Sequence, residues 1–175
     1  MTTTKAEKPS RRKVARKEPA STKGDAKGKL QSADIADIMQ LIPHRYPFLL
    51  VDKLIDMDED KSATGIKNVT VNEPYFQGHF PGNPVMPGVL LIEGMAQTAA
   101  VLCLRFLNEF QSPPLIYFMG IDKARFRRPV VPGDTLHYHV EKKRNRGRVW
   151  RFRAHAAVDG ESVAEAEFSA VIIDT

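Results

Sequence analysis

Cysteine is nearly missing from this 175-residue chain, with Cys103 standing alone. A single thiol closes no disulfide framework and builds no thiolate metal site, so the chain is expected to work in a reducing cytoplasm. Cys103 sits uncharged in an apolar run, where a core role is the ordinary one. No Gly-x-Ser-x-Gly elbow, phosphate-binding glycine loop or dinucleotide fingerprint occurs, which moves serine hydrolases, nucleotide-dependent enzymes and redox-cofactor enzymes out of the leading readings. His137 and His139 share a strand face, but no third ligand accompanies them and no metal is expected. The apolar core of a secretory signal is also lacking near the N-terminus. The length suits one well-packed domain.

Acid is scarce in two places. Residues 1–30 hold ten Lys or Arg against three acids, with almost nothing apolar to bury. Residues 1–29 are therefore expected to be a disordered basic tail, and 30–175 the folded domain. An organellar transit peptide is the alternative for the tail, although Glu7, Glu18 and Asp25 count against it. The second basic stretch runs from Tyr117 to Arg153, with eleven Lys or Arg against three acids. Lys123, Arg125 and Arg127 alternate along a predicted strand, giving it a basic face, with Ala124 and Phe126 on the other side. A solvated strand face is the plain reading. Specific nucleic-acid binding is disfavoured because no stacking aromatics or known nucleic-acid module accompany the charge.

The most informative stretch is Gly78 to Leu107. Its first eleven residues hold three prolines and three glycines, a loop in which His79 is the only ionisable side chain. Pro87 suits a first helical position, and from Gly88 to Leu104 only Glu93, Gln97 and Thr98 interrupt apolar or small residues. A helix apolar on every side is buried, and a central acid disfavours burial in a membrane. Gly94, Ala96, Ala99 and Ala100 allow a sheet or second helix to approach closely. Histidine is the usual general base near neutral pH, and desolvation favours a protonated glutamate, so His79 and Glu93 together suit acid–base work. The plainer alternative pairs His79 with backbone and Glu93 with an arginine such as Arg105.

Around this centre the patterns predict a helix over 33–41 with Ser32 as its cap. They also predict strands at Phe48–Met57, Lys61–Val71, Leu115–Phe126, Thr135–Lys143, Arg148–Val158 and Ser162–Ile173. Asn145–Gly147 and Asp159–Gly160 carry hairpin-turn chemistry. One long buried helix with about six strands is an α+β pattern with an antiparallel sheet. A sheet of that size covers the helix only in part, so a dimer joined edge to edge is expected.

The run GHFPGNPVMPGVLLIEGMAQ, Gly78 to Gln97, resembles the signature of bacterial 3-hydroxyacyl-(acyl carrier protein) dehydratases of the FabZ type. The resemblance extends upstream to Pro43–Asp52 and downstream to Tyr117–Arg127 and Pro132–Asp134, covering about residues 33–175. It implies a hot-dog fold, a sheet wrapped around one central helix, assembled as a homodimer and often as three dimers. It also implies dehydration of a (3R)-hydroxyacyl thioester to the trans-2-enoyl form in fatty-acid elongation and lipid A biosynthesis, with no metal or organic cofactor. In that family this His and this Glu are the catalytic pair, contributed by different subunits, which assigns those roles to His79 and Glu93. An aspartate stands at the acid's place in the sister dehydratase-isomerases, so Glu93 favours the dehydratase. Gly88 in the first helical turn offers an N–H to the thioester oxygen, and its missing side chain lets substrate approach. The family's tunnel-gating tyrosine corresponds to Tyr117. Acyl carrier protein is acidic, so Lys123, Arg125, Arg127 and Arg128 form the expected docking face. The rival reading is a non-catalytic acyl- or nucleic-acid-binding module on the same shell.

Overall fold

The computed structural model describes residues 30–110 and 114–173; the expected tail, 1–29, and Pro113 of the double proline lie outside the described residues. In chain order the elements are β1 (Gln31–Ala33), α1 (Ile35–Leu41), β2 (Lys53–Asp58), β3 (Ser62–Asn68), a 3-10 turn (Pro74–Gln77), α2 (Gly88–Leu107), β4 (Leu115–Phe126), β5 (Thr135–Arg146), β6 (Val149–Val158) and β7 (Glu161–Ile173). All strands join one antiparallel sheet in the order β1-β2-β3-β5-β6-β7-β4. The α+β hot-dog architecture is as expected, with seven strands where about six were read. The extra one, β1, is three residues long and too short to show a period. Ser32, expected as a helix cap, lies inside it. Asp34 caps α1 instead, its carboxylate accepting from the Ala36 and Asp37 N–H groups at 2.9 and 3.0 Å, a contact worth about 1 kcal/mol.

Hairpin chemistry sets the register of the C-terminal half. Asp159 and Gly160 both take positive φ, 52° and 81°, between Val158 and its partner Glu161. That is the pattern of a type I′ turn, whose twist matches the flanking strands.

The central helix is covered along most of its surface, with Leu91, Met95, Val101, Leu102 and Leu104 among its buried residues. Helix and sheet touch at a place that admits no side chain. A Cβ on Gly94 would lie 2.4 Å from Cζ of buried Tyr138 on β5. Across the interface, Thr98 Oγ1 would be 2.2 Å from a Cβ on Gly65 of β3. Pro87 stands one residue before the helix as its N-cap rather than inside it, and Asn108 in a left-handed conformation closes the other end. By length and composition this helix is apolar enough to cross a membrane, yet most of it is buried inside the fold.

Two expected strand features differ. Phe48–Asp52 is not strand, because its backbone is claimed by a helix side chain. The Leu50 N–H donates to Gln97 Oε1, and Gln97 Nε2 donates to Phe48 O, both at 2.8 Å. On β4, Lys123 has φ of 52° and the register against β7 slips between Asp122 and Arg125. That bulge breaks the regular alternation expected for Lys123, Arg125 and Arg127. The β4 strand is also an edge, and it exposes Tyr117, Met119 and Phe126 at 53, 59 and 52 %.

Candidate active site

The proline-rich loop is built to hold one imidazole. Phe80 O accepts from the Asn83 N–H at 2.9 Å. Pro81 follows at the second turn position and Gly82, with φ of 77°, at the third, the residue pattern of a type II turn. The turn brings Val85 back over His79: the Val85 N–H donates to His79 O at 3.0 Å, and His79 Nδ1 lies 2.6 Å from Val85 O. A carbonyl only accepts, so Nδ1 carries the hydrogen and the lone pair falls on Nε2. Nε2 is thus the basic nitrogen. The Phe80 ring stacks on the imidazole with centroids 4.0 Å apart.

His79 lines a groove of about 540 Å³ together with Gly88 and Phe126. Gly88 opens α2, so its N–H has no intrahelical acceptor and lies at the positive end of the helix dipole. The missing side chain, expected to let substrate approach, also leaves space for a neighbouring ring. A Cβ there would lie 2.9 Å from the Phe126 ring, so the glycine makes room for that ring.

Glu93 lies elsewhere. It lines a second cavity of about 290 Å³, walled by Tyr117, Phe118, Trp150, Phe152 and Phe168, that runs along α2 past Ala96, Ala100 and Cys103. Such a volume is at the low end for small-molecule pockets, about 300–1,000 Å³, and the apolar walls suit an acyl chain. Glu93 does not pair with Arg105, which instead reaches Asp37 at 3.6 Å and Gln31 at 3.3 Å. Its Oε1 accepts from Gln97 Nε2 at 2.9 Å and lies 3.5 Å from His44 Nε2. Burial holds His44 below the ordinary histidine value; the Glu93 carboxylate opposes that shift and Arg45 adds to it. Burial likewise pushes the Cys103 thiol far up, which leaves it unreactive on the cavity wall.

The structure thus brings His79 together with Gly88, and Glu93 together with Tyr117, as two separate sites within one chain. His44 and Gln97 were missed as site residues. Both lie in the motifs read from the sequence, and their pairing with Glu93 depends on the Pro43–Asp52 segment crossing α2, which no periodicity reveals.

The expected docking residues differ among themselves. Lys123 pairs with Glu167 at 2.7 Å, Arg127 with Glu165 at 2.5 Å and Arg128 with Glu161 at 3.5 Å. Arg125 makes no such pair among the described residues. A third histidine does join His137 and His139: His155 on β6, opposite His139 in register. The rings stack with centroids 6.4 and 4.6 Å apart, and His139 Nδ1 meets Thr64 Oγ1 at 3.1 Å. No group of three His, Cys, Asp or Glu among the described residues is arranged to hold a metal.

Comparison with known proteins gives the same direction. The family model for the FabA-like domain matches residues 42–167. A 3-hydroxyacyl-(acyl-carrier-protein) dehydratase FabZ of Rhizobium rhizogenes is 60% identical over 149 residues, 85% of this chain and 94% of that one. The protein of the same name from Rhizobium leguminosarum is 61% identical over 144 residues, 82% of this chain and 92% of that one. Among solved structures, the dehydratase heterocomplex ApeI:P of Xenorhabdus doucetiae has a TM-score of 0.70 at 17% identity, over 79% of this chain and 91% of that one. At that identity the likeness concerns the fold.

Proposed function

We propose a division of chemical labour on the premise that the chain belongs to the FabA-like family, among the 3-hydroxyacyl-(acyl-carrier-protein) dehydratases of fatty-acid biosynthesis. His79 Nε2 takes the proton from C2 of the (3R)-hydroxyacyl thioester. The C2–H electrons become the C2=C3 double bond as the C3–O bond breaks. Glu93 gives its proton to the departing hydroxyl, which leaves as water. The Gly88 N–H, aided by the helix dipole, stabilises the charge that develops on the thioester oxygen. Nothing in this sequence of steps calls for a metal or an organic cofactor. The product is the trans-2-enoyl thioester, its chain lying in the apolar cavity behind Tyr117, where each buried CH₂ contributes about 0.8 kcal/mol. Tyr117, half-exposed on an edge strand and on the cavity wall, acts as the gate.

The observation that carries this reading is the fixed tautomer of His79, which leaves the Nε2 lone pair free in a groove that the N-terminus of α2 also lines. Base and acid lie in separate pockets of one chain, so the working site takes His79 from one protomer and Glu93 from its partner. Pairing of two β4 edges through their exposed apolar residues is the assembly we infer, and light scattering distinguishes that dimer from three dimers together. Arg125, with Lys123, Arg127 and Arg128 around it, receives the acidic carrier protein. The enzyme works in the cytoplasm, where Cys103 stays reduced.

The test is a spectroscopic hydration–dehydration assay with crotonyl and 3-hydroxybutyryl thioesters. Turnover in both directions is the expected result. Binding of the thioester without turnover contradicts the enzymatic reading and favours a non-catalytic acyl-binding module.

A further inference from the structure

Gln97 is a fully buried polar side chain one helical turn beyond Glu93, 1 % exposed. Its amide has no choice of orientation. The Leu50 N–H can only donate, and it meets Gln97 Oε1 at 2.8 Å. The Phe48 carbonyl can only accept, and Gln97 Nε2 lies 2.8 Å from it. Flipping the amide would set donor against donor and acceptor against acceptor at both ends, inside the core, where each unpaired group costs the most. The second Nε2 hydrogen is therefore committed to Glu93 Oε1, 2.9 Å away. Among carboxyl oxygens the carbonyl-type one is the better acceptor, so the proton of a neutral Glu93 goes to the other oxygen.

We propose that Gln97 is the positioning residue of the acid: it holds Glu93 Oε1 as an acceptor and so assigns Oε2 as the oxygen that delivers the proton to the leaving hydroxyl. This rests on the reading of Glu93 as the acid. Gln97 itself touches no reacting atom. It carries the constraint from the Phe48–Leu50 backbone to the working carboxyl, which explains why a segment that reads as strand gives its hydrogen bonds to a helix side chain. The other titratable groups facing the same cavity are His44, Cys103 and Tyr117, with Arg45 beside His44. His44 Nε2 also faces Oε1, at 3.5 Å, so the polar neighbours seen at the carboxyl gather on one oxygen.

The pH profile of kcat reads this directly. In a bell-shaped profile the alkaline limb belongs to the acid, and removing a donor from a carboxylate disfavours its ionised form. Gln97→Met is expected to lower kcat on the order of 10-fold, part of the 10²–10⁴ that a general acid contributes, with KM little changed. The alkaline limb should move to higher pH while the acid limb stays. A lower curve with both limbs in place overturns the proposal, since that is what loose packing does. In the Glu93→Gln background, adding Gln97→Met should cost nothing further; independent losses overturn it, with Glu93 still the acid. Wild-type turnover in Glu93→Gln alone removes the acid reading, and this proposal with it. Because Gln97→Met leaves two backbone groups unpaired and can fail to fold, the intact ¹⁵N-labelled chain supplies a second measure. One of the two Gln97 Nε2–H signals should move with pH in wild type and stand still in Glu93→Gln. A signal that stands still in both overturns the proposal.

Discussion

His79 and Glu93 line different cavities of the same chain, the first beside Gly88 at the start of α2 and the second in the second turn of that helix, on the side that faces Tyr117. Each is fixed by its own local device: a tight turn that brings Val85 O to the imidazole, and a buried amide that binds the carboxyl. A reaction that needs a base and an acid on adjacent carbons draws both groups to one substrate. Two copies of the chain, each lending one group, are the proposed way to meet that requirement.

Substitution separates the two roles from folding. His79→Ala is expected to lose nearly all dehydration, and Glu93→Gln to lose about 10²-fold or more in kcat with substrate still bound. Melting temperature and thioester binding, measured alongside turnover, should stay near wild type in both. Loss of the folded state in His79→Ala would mark the imidazole as structural.

Gly94→Ala should do the opposite, harming the fold first. The added methyl would meet the Tyr138 ring, which is itself fully buried and has no room to retreat. Overpacking of this kind costs about 1–3 kcal/mol, and denaturant unfolding measures it. A variant as stable as wild type would show that helix and sheet are free to separate at this point.

The histidine stack sets a pH dependence of stability. Burial, then the neighbouring His155 and His137, hold His139 below its ordinary value, with Asp56 opposing. Between that lowered value and the unfolded value of about 6.5, the unfolded chain binds more protons than the folded one. Stability contributed by neutral His139 is therefore present above that window and lost as pH falls through it. His139→Asn should show a smaller drop in melting temperature between pH 7.5 and 5.5 than wild type does, with His44 supplying part of the remaining slope. Identical slopes would contradict the assignment.

Carrier-protein docking is best tested at Arg125. Reversing Lys123, Arg127 or Arg128 also breaks a pair with Glu167, Glu165 or Glu161, which mixes docking with stability. Arg125→Glu should raise KM for the carrier-protein substrate and spare a short free thioester. Added salt should act likewise on wild type, since screening at 0.1 M sets in over about 10 Å. Equal losses on both substrates would place the damage in the site.

Much of this was legible beforehand because it rests on local chemistry. The all-round apolar run of α2 announced its burial, Gly94 its close contact, and Asp159–Gly160 the hairpin that sets the last two strands. What escaped reading depends on neighbours distant in sequence. Phe48–Asp52 has the composition of a strand, yet Gln97 takes its backbone. Lys123 carries no mark of the positive φ that bulges β4, and His155 becomes a neighbour of His139 only once register is known. Within the site, His79, Glu93 and Tyr117 were singled out from the sequence and its resemblance, whereas Gln97 and His44 gained meaning only from the contacts around Glu93.

Subunit mixing tests the shared site most directly. A heterodimer of His79→Ala with Glu93→Ala holds one site with both groups and one with neither, while each homodimer is inactive. When equal amounts are unfolded together and refolded, about half of the dimers are mixed and activity should return to roughly one quarter of wild type, as two-fold symmetry requires. Differently tagged chains that co-purify establish that exchange took place. Recovery near that fraction is the expected result; exchange without recovery would contradict a site that takes His79 and Glu93 from two chains.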